Sequence, residues 1–290
     1  MAGRDAPSDD DTPVLVYQHG SHRIVRTMTQ LRDFWDSAQL RCMRQAIGIL
    51  DVELARRVPV EQRAIYVWEM EGKPVPDRVR IILSDLWAAQ DQIVDRLVEE
   101  AELSGTIRTY ADDEETKMAT DGVLDLATLH RVAAGRAWTQ VSDARVVCQR
   151  DGVDSDAEFL CRATTLGLGL KQLVPALRVG KATARRWMSG KAPLPPGALA
   201  ELADLEALAR DHQRQLATTP GDPDALWSRV HPEQGPVIGV CRTQHTLNER
   251  WSDVAPSDTD IGIELAVHQV CAARAGRDTG RSLAFVDDPR

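Results

Sequence analysis

At 290 residues, 43% hydrophobic and 27% charged, the chain has the composition of a globular protein of about two domains. No run reaches the ~18 consecutive apolar residues of a membrane span, and no membrane partner is expected. The net charge of −9 counts against a polyanionic partner only if it is averaged over the whole surface. A field that acts over about a Debye length has to be read segment by segment.

The start of the chain, Met1–Pro13, is acidic and apolar-poor and reads as a disordered tail rather than a signal peptide. A strand-like run follows at Val14–Tyr17, then a helix at Met28–Trp35 and a second at Ser37–Ile47 with Leu40, Met43 and Ile47 on one face. Asp51 is placed to cap a helix over Val52–Val58, and Val60–Glu71 forms the next one. Leu54, Ala55, Val58, Val60, Ile65 and Trp68 then occupy the buried side, while Glu61, Gln62, Arg63, Tyr66 and Val67 face outward. Pro59 stands at the turn between the two helices, where its ring, fixing φ near −65°, argues against a left-handed residue. A long helix over Asp77–Leu103 carries Val79, Ile82, Leu83, Leu86, Ile93 and Leu97 at helical spacing.

Slid against itself by 119 residues, the chain repeats. Ala38, Cys42, Gly48, Leu54, Val60 and Trp68 meet Ala157, Cys161, Gly167, Leu173, Val179 and Trp187. Pro74, Pro76, Leu83, Asp85 and Leu86 meet Pro193, Pro195, Leu202, Asp204 and Leu205. At a different offset, Thr106–Tyr110 resembles Val237–Cys241, and HRVAAGRA from His130 resembles HQVCAARA from His268. Each of these helical segments is followed by a β-prone run, Ala144–Cys148 and Ser282–Val286. The expected fold is therefore mainly α with small β elements: two helix-turn-helix units, each followed by a small α/β part. Residues 1–36 form the tail with its short strand and helix, 37–152 the first unit and 153–290 the second. Asp151–Asp156 and Thr218–Asp224 are linker candidates. In the second unit Arg178 holds the turn position, and Pro175 predicts a second helix that is short or begins late.

The segment VPVEQRAIYVWEMEGKPVP resembles the end of Xre or lambda-repressor-like domains, where V-x-Q-x-x-I-x-x-W-E forms the recognition helix. More closely, each unit is similar to the anti-CRISPR-associated regulators of phages and their bacterial relatives. In those a W-E-x-G-x-x-x-V-P segment leads into a long helix and a small α/β part used for dimerisation. The present chain departs by one extra residue before Gly72, and the likeness spans nearly the whole of each unit. The resemblance implies a DNA-binding transcription regulator, a repressor by type, from a phage or mobile element.

Charge is distributed accordingly. Ala38–Arg80 carries eight basic and six acidic residues, and Ala157–Leu199 seven basic and one acidic. On the third helix of each unit, Gln62, Arg63 and Tyr66, and Lys181, Ala182, Arg185 and Arg186, are the candidate readers of the major groove. Gln pairs bidentately with adenine and Arg with guanine. Lys73 and Lys191 suit phosphate contacts. Double-stranded DNA is thus the expected partner, and a tandem pair in one chain would act as a pseudo-dimer on an imperfect inverted repeat, with further homodimerisation possible. The alternatives are a protein-interaction adaptor on a helix-turn-helix scaffold and an RNA-binding regulator.

Five widely spaced cysteines without a C-x-x-C pair read as reduced thiols of a cytoplasmic protein. The histidines show no ligand-type pairing, and His19 with His22 reads as a solvated loop pair. No phosphate loop or nucleophile elbow occurs; LGLGLK at Leu166–Lys171 reads as a helix end, and Asp112–Asp113 as a solvated loop. Neither catalysis, metal nor cofactor is expected.

Overall fold

The computed structural model describes residues 13–19, 22–71, 73–148, 154–189, 191–219, 237–256 and 262–286, with side chains from Ser37 onward except 154–156. The chain is mainly helical with a few short strands. A hairpin comes first, β1 (Pro13–His19) antiparallel to β2 (His22–Thr27). It runs directly into α1 (Met28–Ile47), a single helix where two were expected. Neither Gly nor Pro occurs between Trp35 and Ser37, so nothing breaks the backbone ladder there. The expected strand Val14–Tyr17 lies within β1, and β2 is an addition to it.

Then follow α2 (Asp51–Arg57), α3 (Gln62–Met70), α4 (Asp77–Ser104), β3 (Thr106–Thr109), α5 (Asp113–Ala119), α6 (Ala127–Trp138) and β4 (Arg145–Cys148). From α7 (Asp154–Thr165) the same order runs again: α8 (Leu170–Ala176), α9 (Lys181–Met188), α10 (Pro196–Thr218), β5 (Ile238–Val240), α11 (Gln244–Arg250), α12 (Leu265–Thr279) and β6 (Leu283–Phe285). Each half closes a two-stranded parallel ladder, Ile107 beside Val146 and Ile238 beside Leu283.

Details recur at matching places. Gly48 and Gly167 end the first helix of their halves at φ +81° and +76°, a conformation glycine adopts without steric cost. A Cβ on Gly48 would strike Val132 of α6, and one on Gly167 would strike Val270 of α12. Asp112 caps α5 by accepting the Glu115 N–H, and Thr243 caps α11 by accepting the Thr246 N–H. Asp113 accepts the Ala127 N–H at 2.8 Å, so the Asp112–Asp113 pair is a capping element rather than a solvated loop.

The core is one apolar cluster drawing on both halves, with Ile47, Leu54, Ile65, Leu83 and Ile93 from the first and Phe159, Leu173, Leu202 and Val270 from the second. Its packing is reciprocal. α1 lies on α12 and β6, α7 lies on α6 and β4, and the long helices α4 and α10 lie on α6 and α12. Helices α6 and α7 meet at Gly135, where an added Cβ would come within 2.1 Å of Thr165 Oγ1 and 2.6 Å of the Cys161 carbonyl. Two buried ion pairs tie helices together: Arg44 with Glu69 (2.5 and 3.0 Å), and Arg162 with Glu206 (2.9 and 2.8 Å). Arg162 also takes Glu158 and stacks on Trp138 at 4.3 Å.

Linker candidate Asp151–Asp156 lies outside the described residues over 151–153 and forms the start of α7 from Asp154. In the other candidate, α10 reaches Thr218, and 220–224 lie outside the described residues. Among the described residues no helix is long and apolar enough to cross a membrane.

Candidate nucleic-acid interface

Helices α2 and α3 are joined by four residues, 58–61, and α8 and α9 by another four, 177–180. Asp51 is the first helical residue, not the cap; Leu50 precedes it in extended conformation, and Glu53 accepts the Leu50 N–H at 2.8 Å. α3 begins at Gln62 rather than Val60, because the backbone of Val60 is engaged in closing α2. The Val60 N–H reaches back to the Ala55 carbonyl (3.0 Å), and Val179 reaches Val174 (3.1 Å). These are the six-residue closures of a helix that stops on a left-handed residue. That residue is Arg178 (φ +50°) in the second half and Pro59 (φ +21°) in the first.

Pro59 therefore does occupy a positive φ, against the expectation from its ring, because closure of α2 and the entry to α3 fix the turn on both sides. It carries a cost, since the second closing bond, Arg178 N–H to Pro175 O at 3.2 Å, has no counterpart at an imino nitrogen. Pro175 likewise fails to shorten α8, which has the same seven residues as α2. It sits exposed in the last turn, where the carbonyl it leaves free can meet water.

The inner face of α3 is Ile65 and Glu69, both buried, with Trp68 half-buried against the core. The inner face of α9 is Ala184 and Trp187, the indole meeting Phe159 edge-on at 6.1 Å. Every residue expected to read bases is exposed: Gln62, Arg63 and Tyr66 on α3, and Lys181, Ala182, Arg185 and Arg186 on α9. Lys73 and Lys191, just beyond these helices, are exposed too. Val67, expected to face outward, is half-buried, because α3 packs on both α1 and α2, which leaves a narrower face to solvent. Gln62 is partly committed, its amide donating to Asp51 Oδ2 at 2.8 Å. Burial raises the Asp51 carboxyl, but the bonds from Gln62 and the Val52 N–H outweigh it and hold the group below its usual range.

The two surfaces differ in charge. Around α9, Lys171, Arg178, Lys181, Arg185, Arg186 and Lys191 are all exposed, and the one carboxylate of 157–199, Glu158, is taken by Arg162. Around α3, Arg44 is bound to Glu69, Arg57 to Asp125 and Arg80 to Asp77, and the exposed Arg56, Arg63, Lys73 and Arg78 are partly offset by exposed Glu61 and Glu71. Lys171 and Arg178 are not among the DNA-contact candidates drawn from the sequence. Their signal was the tally of basic residues over 157–199, but only the fold shows them flanking α9 on the surface.

The far end of α3 is held by the other half. Arg242 Nη1 donates to the Met70 carbonyl (2.7 Å), and Arg41 Nη1 reaches the Arg242 carbonyl (3.4 Å). Between α10 and α12 lies a buried polar file: Cys241 N–H donates to His268 Nε2 (3.1 Å), which leaves His268 Nδ1 to donate to His212 Nε2 (2.8 Å). Burial pulls His268 down to about 3 and His212 to about 4, so both rings are neutral and structural. Among the described residues no group of histidine, cysteine and carboxylate side chains is arranged to hold a metal ion. No protein-family model, no curated protein and no solved structure matches this chain.

Proposed function

We propose that the chain is a sequence-specific DNA-binding transcription regulator, of repressor type by the resemblance above, with two helix-turn-helix units in one polypeptide. In this reading α2–α3 and α8–α9 are the paired helices, and α3 and α9 are the recognition helices. The observation that carries it is the outer face of α9, where Lys181, Arg185 and Arg186 stand exposed beside Lys171, Arg178 and Lys191 without an unpaired carboxylate in the segment. Arginine forks match guanine O6 and N7, and lysines match phosphates. The reciprocal packing of the halves supports a pseudo-dimer, since exchanging the halves exchanges α1 on α12 for α7 on α6. Because Gln62, Arg63 and Tyr66 differ from Lys181, Ala182 and Arg185, the preferred site is an imperfect inverted repeat.

The adaptor reading has one observation in its favour. The first half exposes Tyr66 (57%) and Leu50 (51%) on a surface of near-balanced charge, which suits a protein partner better than phosphate. Enrichment of a random duplex library on the full chain tests the proposal. An imperfect inverted repeat with half-sites about one helical turn apart is expected. Enrichment of a single half-site assigns DNA to α9 and leaves α3 to a partner, and no enrichment refutes the reading.

A further inference from the structure

Between the halves lies a cleft of about 600 Å³, walled by α4 and α6 on one side and α10 and α12 on the other. That volume falls within the ~300–1,000 Å³ of small-molecule sites. Four arginines and three aspartates line it. Two of the arginines are matched: Asp91 receives Arg136 at 2.7 Å and also pairs with Arg277, whose guanidinium lies over the Trp87 ring at 4.7 Å. The matching sequence positions of the second half differ by one reversed charge. Arg274 stands 138 residues after Arg136, the spacing of His130 and His268, and Arg210 stands 119 residues after Asp91, the spacing of α2 and α8. At the position matching Asp91, whose carboxylate receives Arg136, the second half carries Arg210, which lines the same cleft as Arg274.

Among the described residues no carboxylate is ion-paired with Arg274; its Nη2 donates to the Thr165 carbonyl at 2.7 Å. Burial and the nearby Arg136 charge pull its guanidinium down to about 10, against the opposing pull of Cys271 and Asp278. Arg210 is exposed on the wall of the same cleft. Asp95, Asp278, Gln140 and Gln213 supply acceptors and amides around it, with Gln213 already bonded to Asp278 at 3.0 Å.

We infer that this cleft is a binding site for a small organic phosphate of about nucleotide size, its phosphate held by Arg274 and Arg210 and its hydroxyl or amino groups by the aspartates and amides. Guanidinium forks match phosphate oxygens bidentately, and a charge-assisted bond in a partly enclosed site is stronger than one in open water. The site stands whether or not the chain binds DNA. A ligand there would touch both halves at once and so bear on how α3 and α9 are set relative to each other.

The test is thermal unfolding and calorimetry of the full chain at low salt with adenosine and guanosine 5′-monophosphate, inorganic phosphate and adenosine. Saturable stabilisation by a monophosphate is expected, weaker with inorganic phosphate and absent with adenosine. Arg274→Gln should weaken it by at least about tenfold, and Arg210→Gln, an exposed position that leaves the fold alone, by several-fold. Arg185→Ala/Arg186→Ala on α9 should leave it unchanged, which separates this site from the DNA surface. The inference is overturned if no phosphate probe shifts the melting temperature, or if the shift survives in Arg210→Gln and, where it folds, Arg274→Gln.

Discussion

Arg44 and Glu69 join α1 to α3 through a bidentate pair whose side chains are only 14% and 8% exposed. At the positions 119 residues later the chain carries Ala163 and Met188, so the second half fills the same place without charge. Replacing Glu69 by Met leaves a guanidinium in a site that excludes water, at a cost of about 3–5 kcal/mol. Replacing Arg44 by Ala strands the carboxylate and also removes the donor to the Ile49 carbonyl (3.1 Å), with a loss of the same order. The double variant Arg44→Ala/Glu69→Met removes both charges and installs the other half's pair. It should fall within about 1–2 kcal/mol of the parent, since apolar replacements of buried ion pairs are often neutral. Urea unfolding followed by circular dichroism gives the three values, and the coupling energy should exceed about 2 kcal/mol. Single variants costing less than about 1 kcal/mol, or additive losses in the double, would refute the reasoning.

Other perturbations follow from the same geometry. Pro59→Gly frees the turn from φ +21° and restores an N–H for the missing closing bond, so it should raise stability by about 1–3 kcal/mol despite the added chain entropy, read as a higher melting temperature. Gly135→Ala should lower stability by about 1–3 kcal/mol, because the new methyl meets Thr165 and the Cys161 carbonyl; an unchanged melting temperature would show that α6 and α7 are not in close contact. Acid should destabilise the fold through its buried histidines. Burial holds His130 and His212 at about 4 and His268 at about 3, so below the unfolded value near 6.5 the unfolded chain takes up protons first. Their contribution is whole above that pH and falls by about 2 kcal/mol per imidazole by pH 5, opposed by Glu53 and Glu264, whose carboxyls burial raises. His268→Gln should flatten the pH 5–7 limb of the stability profile.

The helices were legible where periodicity and punctuation agree. The apolar stripe over Asp77–Leu103 predicts α4 to within one residue, because it is long and Pro76 and Gly105 bound it. The β-prone runs Ala144–Cys148 and Ser282–Val286 contain β4 and β6, but the sequence pattern marks neither β2 nor the partner strands β3 and β5 as strands. Local rules failed where tertiary closure decides. The left-handed turn at Pro59 and the full-length α8 despite Pro175 are set by bonds between helices, and no single-residue propensity records those. The candidate readers on α9 could be placed because Ala184 and Trp187 mark its inner face. The cleft could not, since Asp91, Arg136, Arg210 and Arg274 come from four helices and meet only through packing between the halves.

Binding of the enriched duplex to the parent chain, Arg185→Ala/Arg186→Ala and Gln62→Ala/Arg63→Ala, at two salt concentrations, tests the central claim most directly. The account predicts a loss of about 1–3 kcal/mol for each base contact removed, confined to one half-site in each variant. The larger loss, with a shallower salt slope, belongs to the α9 variant. Binding that is unchanged in both variants, or that is weak and indifferent to sequence in the parent, would contradict it.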